Sequence, residues 1–296
     1  MRRTFGDRLL EMPDVTRYML KYLDDEDLFN VCEIDPRFMA LCNDQFWIRK
    51  IQQTYGLDLS MIKNMVTKHT RDGSYKTYYK SLRDYTKRFS DNNTLLAFGA
   101  ENGRPDLIQI ALDQGSDPEY YDHYALNYAV KYPEVWKLIL ERIPRDRWRR
   151  IHNYVLQTAV DYNNIEFIKT LVEAGRVLEN NLLGQAVDKR NANTDLIKVL
   201  LDSGIPADAD GSEALATAHG LETIKLLVER GADHHARQDL VFRYAVRYHD
   251  IDSIKYLLSL GINRQNLLDV IYHIEAFEEE LKPLLPLLEE ALRDAQ

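Results

Sequence analysis

The chain has 296 residues, 45% hydrophobic and 29% charged, an ordinary balance for a globular protein with a packed core. No apolar run approaches the ~20 residues that cross a bilayer, and Asp7 sits where a secretory signal would need an apolar stretch. The net charge of −9 is uneven: residues 1–92 carry 16 Lys+Arg against 14 Asp+Glu, whereas residues 93–296 carry 22 against 33. That acidic segment repels phosphate backbones, so no nucleic-acid partner is expected for it, and the shift marks a seam near residue 92.

In chain order, three helices are predicted within residues 9–55. Pro13 can open the first at its initial turn, and Val15, Met19, Leu20 and Leu23 give it one apolar face. Asp24 or Asp25 caps the second, which carries Leu28, Val31 and Cys32. Pro36 precedes a third with Phe38, Leu41, Cys42 and then Trp47. Two cysteines imply no disulfide framework, and reduced, buried thiols in a cytoplasmic or nuclear protein are expected. This segment resembles an F-box, through the Met12-Pro13 start (the family usually has Leu-Pro), Tyr22-Leu23, the DDEDL run from Asp24 and the anchors Val31-Cys32, Phe38 and Trp47. The resemblance implies a Skp-type adaptor and a cullin ubiquitin ligase as partners. It also implies an adaptor-binding set of Met12, Pro13, Val15, Met19, Leu28, Val31, Phe38 and Trp47. A plain three-helix cap would show the same apolar stripes. The F-box-like domain is set at residues 1–56.

Residues 57–92 read as a helical linker or an F-box extension. SYKTYYKSL from Ser74 is similar to the helix that often follows an F-box. Lys63, Lys68, Arg71, Lys76, Lys80, Arg83, Lys87 and Arg88 stand among Tyr75, Tyr78, Tyr79 and Tyr85. A solvated, helix-rich linker explains them, with a nucleic-acid or phospholipid contact as the alternative.

Residues 93–265 repeat. DLIQIAL from Asp106, EVWKLIL from Glu134, EFIKTLV from Glu166, DLIKVLL from Asp195, ETIKLLV from Glu222 and DSIKYLL from Asp252 share one pattern. Their third residues, Ile108, Trp136, Ile168, Ile197, Ile224 and Ile254, are spaced by 28, 32, 29, 27 and 30. The leading acid suits the positive end of a helix dipole, and the Lys three residues later in five of the six copies (Gln109 in the first) can pair with it. Gly115, Gly175, Gly204, Gly231 and Gly261 follow at a fixed distance, where a left-handed residue stops a helix. The second copy has Ile143 and Pro144 instead, so its exit differs. A second helix pattern precedes the first, with Leu126, Leu156, Leu183 or Phe242 opening it and Ala129, Ala159, Ala186 and Ala245 allowing close approach.

LLAFGAENGRPDLIQIALDQGSDP from Leu95, and LLVERGADHH from Leu226, resemble ankyrin repeats. The copies are shorter than the usual ~33 residues and lack the Thr-Pro-Leu-His opening, which bears on the loops. Other helical-pair repeats are the alternative. The fold class expected is therefore all-α: an ankyrin-type helical repeat solenoid after a three-helix F-box-like domain. Residues 266–296, apolar at Leu267, Val270, Ile271 and Ile274, form a C-terminal helical cap.

The resemblance implies a concave inner-helix wall that recruits a protein substrate. Asn127, Lys131, Gln157, Asp161, Arg243 and Arg247 map to it as polar positions beside the packing alanines, with Trp148 and Arg149 crowning it from the anomalous loop. No nucleotide loop, nucleophile elbow or zinc spacing occurs, so no enzyme activity, cofactor or metal is expected. His249-Asp250 falls in a turn, and His234-His235 in a loop. The expected function is a ligase adaptor that recruits a protein through its array; a scaffold or inhibitor without ligase recruitment is the alternative. F-box and ankyrin pairings resemble proteins of large DNA viruses, which would place this one in the host cytoplasm or nucleus, with no membrane partner.

Overall fold

The computed structural model describes residues 18–20, 22–34, 36–89, 91–188 and 192–294, and among these there is no β-strand. The chain divides into two units, Met1–Tyr120 with Lys137–Arg142, and Tyr121–Trp136 with Ile143–Gln296.

The first unit contains α1 (Asp25–Ile34), α2 (Pro36–Met39), α3 (Asp44–Tyr55), α4 (Leu59–His69), α5 (Tyr75–Arg88), α6 (Asn92–Glu101) and α7 (Pro105–Asp113). Its aromatic centre joins three helices: Phe29 of α1 stacks on Trp47 of α3 at 5.4 Å, and Tyr79 of α5 lies 5.6 Å from Trp47. The Tyr79 hydroxyl donates to Asp25 at 2.6 Å, so the ring is buried without stranding its polar tip. Asn43, Asp58 and Ser74 each cap the next helix by accepting a backbone N–H three residues on.

Three expectations are corrected here. The predicted third helix is two: α2 ends at Met39, and α3 starts only after the Asn43 cap, because that side chain satisfies the Phe46 N–H. Cys32 and Cys42 are joined in a disulfide, with Cα atoms 5.8 Å apart, rather than remaining thiols. Residues 57–92 are not a solvated linker, since Ile62, Met65, Val66, Tyr78, Tyr79 and Leu82 are buried and α4 and α5 pack on α3 and on each other. Lys63, Lys68, Lys80, Lys87 and Arg88 stay on the exposed side.

In the second unit two rows of helices alternate. The inner row is α8 (Tyr120–Ala129), α10 (Asn153–Asp161), α12 (Asn181–Val187), α14 (Ala209–Ala216), α16 (Ala236–Arg247) and α18 (Arg264–Phe277). The outer row is α9 (Pro133–Arg142), which the division between units crosses, then α11 (Ile165–Glu173), α13 (Thr194–Asp202), α15 (Leu221–Glu229) and α17 (Ile251–Leu260). Consecutive inner helices from α10 to α18 pack together, as do consecutive outer helices from α11 to α17. Each heptad falls on an outer helix or on α7. The repeated third residues from Ile108 to Ile254 are all at most 2% exposed, and Ala129, Ala159 and Ala186 are buried where inner helices approach.

Helix ends follow the glycine expectation. Gly115, Gly175, Gly204 and Gly231 have φ between 87° and 99°. In each the residue after the glycine donates back to a carbonyl five residues earlier, as Ile205 does to Leu200. Asn163 and His249 take the same left-handed role at the ends of α10 and α16. Asn164 and Asp250 then accept from Phe167 and Ser253 and cap the following outer helices. The entries to α8, α14 and α16 each carry a left-handed triplet: Tyr121 to His123, Asp210 to Ser212, and Arg237 to Asp239. The last residue of each is buried. Asp239, with no exposed surface, accepts from the Asn263 N–H and Asn266 side chain and meets His235 Nδ1 at 2.7 Å. Beyond α18, a 3-10 turn (Glu279–Leu284) and α19 (Leu285–Asp294) bury Leu281, Leu284 and Leu288.

Candidate functional site

The sequence-predicted partner residues lie mainly on the inner-row face of the second unit. From α8 to α12 several of its polar groups are joined by inter-repeat hydrogen bonds. Asn127 of α8 accepts from the Thr158 hydroxyl at 2.6 Å, and Gln185 of α12 donates to the Gln157 carbonyl and to Asp161 at 3.0 and 2.8 Å. Asn127, Lys131 and Gln157 are therefore only half-exposed, short of the solvent-facing positions that the sequence suggested, while Asp161, Arg243 and Arg247 are exposed. Lys131 rests over the Tyr132 ring, its Nζ 5.0 Å from the centroid.

Aromatic side chains interleave with these polar ones. Tyr124 and Tyr128 lie 4.9 Å apart on α8, and His219, Tyr244 and Tyr248 form a cluster in which His219 meets Tyr248 edge-on at 4.9 Å. Tyr162 and Tyr248, at the ends of α10 and α16, are more than half exposed. The sequence pattern Ala-Val-x-Tyr held that signal, but burial was needed to separate exposed from packed tyrosines.

The anomalous second connection is a 3-10 turn, Arg145–Arg150. Trp148 is half-buried, donating its indole N–H to the Ile143 carbonyl at 2.9 Å with Arg145 over its ring at 5.8 Å. The indole is thus partly used in folding the loop back, while Arg149 and Arg150 remain exposed.

In the first unit the adaptor-binding set is dispersed. Met12, Pro13 and Val15 lie outside the described residues. Leu28 is fully buried and Trp47 is 2% exposed; both are core residues and cannot be contact residues in this arrangement. Val31 and Phe38 are half-buried, and Met19 is 48% exposed. Around Met19 the structure exposes Tyr18 and Tyr22, whose rings lie 4.9 Å apart, and Met39 is also exposed. Among the described residues no group of His, Cys, Asp or Glu could hold a metal, and no helix is long and apolar enough to cross a membrane.

No family model and no solved structure matches the chain. Over 123 residues it is 31% identical to the ankyrin repeat protein R598 of Acanthamoeba polyphaga mimivirus, with 39% of each chain covered, so it spans about two-fifths of that relative's length. Among the described residues, stacked helix pairs closed by left-handed residues, together with this similarity, are consistent with an ankyrin-like helical repeat.

Proposed function

We propose that this protein is a non-catalytic interaction adaptor whose repeat array holds another protein. The observation that carries this reading is the inner-row face. There, hydrogen bonds between successive helices tie polar groups from α8 to α12, and Tyr124, Tyr162 and Tyr248 stand exposed, aromatic side chains of the kind that anchor protein partners. The viral relative is in keeping with action inside a host cell, where a cytoplasmic or nuclear partner would be met.

The N-terminal helices are read as an F-box-like module that engages a Skp-type adaptor of a cullin ligase. Supporting it, Tyr18, Met19, Tyr22 and Met39 expose large apolar surface while Leu28 and Trp47 seal the core beneath, whereas a mere cap would bury its apolar face. With Leu28 and Trp47 inside, the contact set reduces to Met12, Pro13, Val15 and Met19, supported by Val31 and Phe38. Full-length protein mixed with the purified adaptor is expected to co-elute, and Met19→Glu with Tyr22→Glu to abolish co-elution while helical content is kept. Wild-type protein that elutes apart from the adaptor rejects ligase recruitment and leaves a scaffold or inhibitor.

A further inference from the structure

The inner row changes sign along its length. Exposed acids at the end of α12 and on α14 include Asp188, Asp210 and Glu213, the last 3.6 Å from Arg237 of α16, whereas α16 also presents Arg243 and Arg247. Between α16 and α18 lies a groove of about 570 Å³. Its floor is apolar, made by the edges of Val246, Val270, Ile274 and Leu281, each at most 9% exposed. One wall carries Arg243, Tyr244 and Arg247; the other carries Asp269, His273 and Glu278.

The two walls differ in how their charges are used. Asp269 accepts from Gln265 at 2.9 Å on its own helix, and Glu278 lies 3.6 Å from His273 Nε2. Arg243 donates only to the Arg237 carbonyl, at 3.1 Å, and Arg247 has no ion pair or side-chain hydrogen bond among the described residues. Two guanidinium groups therefore stand over an apolar floor with no carboxylate of this chain on them. Tyr244 on α16 adds an aromatic ring to the arginine wall, and His273 on the other wall lies 5.4 Å from the Phe277 ring in a tilted arrangement.

We infer that this groove docks a short acidic segment of the protein partner, one that places an aliphatic or aromatic side chain on the floor and its flanking carboxylates on Arg243 and Arg247. This rests on the reading of the array as a protein-binding surface and adds the chemistry of what it binds. An arginine fork suits a carboxylate, and an apolar side chain in the floor supplies the desolvated anchor that makes such pairs count. Asp188 and Asp210 disfavour the same segment one step along the row, which favours its placement at α16 and α18.

Panning a random-sequence peptide display library on the full chain tests the inference. The wild type is expected to enrich peptides with two or more Asp or Glu residues beside an aliphatic or aromatic one. The double variant Arg243→Glu/Arg247→Glu, checked for native helical content, is expected to lose that bias and bind a synthesised winner about tenfold or more weakly. Lys169→Glu, at an exposed position on outer helix α11, should leave it unchanged. Enriched peptides without an acidic bias, or with the same bias on the double variant, overturn the groove assignment while leaving the array a protein binder. Tighter, arginine-dependent binding of a labelled single-stranded oligonucleotide would make the site one for polyanions and also overturn it. Failure to enrich any peptide counts against the array reading itself.

Discussion

Asp106 occupies the first turn of α7, where the sequence suggested an acid facing the helix dipole. The structure gives it a harder task. It is fully buried, accepts two hydrogen bonds from Arg104 at 2.9 and 2.6 Å, and accepts a third from the Tyr78 hydroxyl at 2.6 Å. Burial opposes the charge on Arg104, yet the Asp106 hydrogen bond and charge outweigh it and hold the guanidinium pKa above its ordinary value. Burial first, and then the Asp106 charge, push the Tyr78 hydroxyl far above its usual 10.0, so it stays a donor. Replacing Asp106 by Asn leaves Arg104 buried without its counter-charge, so Asp106→Asn is expected to cost about 3–5 kcal/mol and Tyr78→Phe about 1–3 in urea unfolding. A cost below about 1 kcal/mol for Asp106→Asn would show that water or relaxation supplies the missing partner. Because the folded pKa of Tyr78 is raised, its contribution is complete below pH 10.0 and fades only as pH climbs above that. Tyr78→Phe should flatten that alkaline decline.

At the scale of elements, the outer helices were legible because their period is written in the heptads, down to the buried third residue and the left-handed glycine. The inner helices were legible through their small residues, but their entries were not. The triplets Tyr121 to His123 and Arg237 to Asp239 adopt positive φ without a glycine, so nothing in their residue types announces the turn, whereas Gly211 sits within that of α14. The cost of that backbone is offset tertiarily, by the hydrogen bonds that converge on buried Asp239. The split between α2 and α3 was hidden for a related reason: the Asn43 cap interrupts an apolar pattern that runs on past it. The binding face was partly legible, as polar positions among packing alanines. The groove was not, because it needs α18 laid beside α16. Leu200 and Leu227 test the register directly, since both are fully buried on outer helices. Each change to Ala is expected to cost about 2–5 kcal/mol. Gly204→Ala, where an added Cβ meets nothing within 4 Å but φ is +99°, should cost only the backbone strain, about 1–2 kcal/mol. Losses well under the first range at both leucines would place these side chains elsewhere.

At the scale of the whole molecule, what matters is how far a local change travels. Within the second unit each helix pair is held by its neighbours: inner helices pack on the next inner helix, outer on the next outer, and Arg230 of one repeat reaches Asp202 of the previous one at 2.8 Å. Folding free energy in such an array is close to a sum of intrinsic and nearest-neighbour terms. A cavity in one repeat should therefore lower the opening free energy there and next door, and fade beyond. Leu227→Ala, on α15, is the sharpest probe because α13 and α17 flank it directly. Amide hydrogen exchange is expected to lose most protection in α14 and α15, less in α13, α16 and α17, and little in α10 and α11. The groove between α16 and α18 lies at the edge of the affected zone, so peptide binding there should weaken before the far repeats register any change. Uniform loss of protection from α10 to α19 would mean that the unit unfolds as one cooperative block. In that case the nearest-neighbour picture fails, and mutations anywhere in the unit would act on binding through global stability alone.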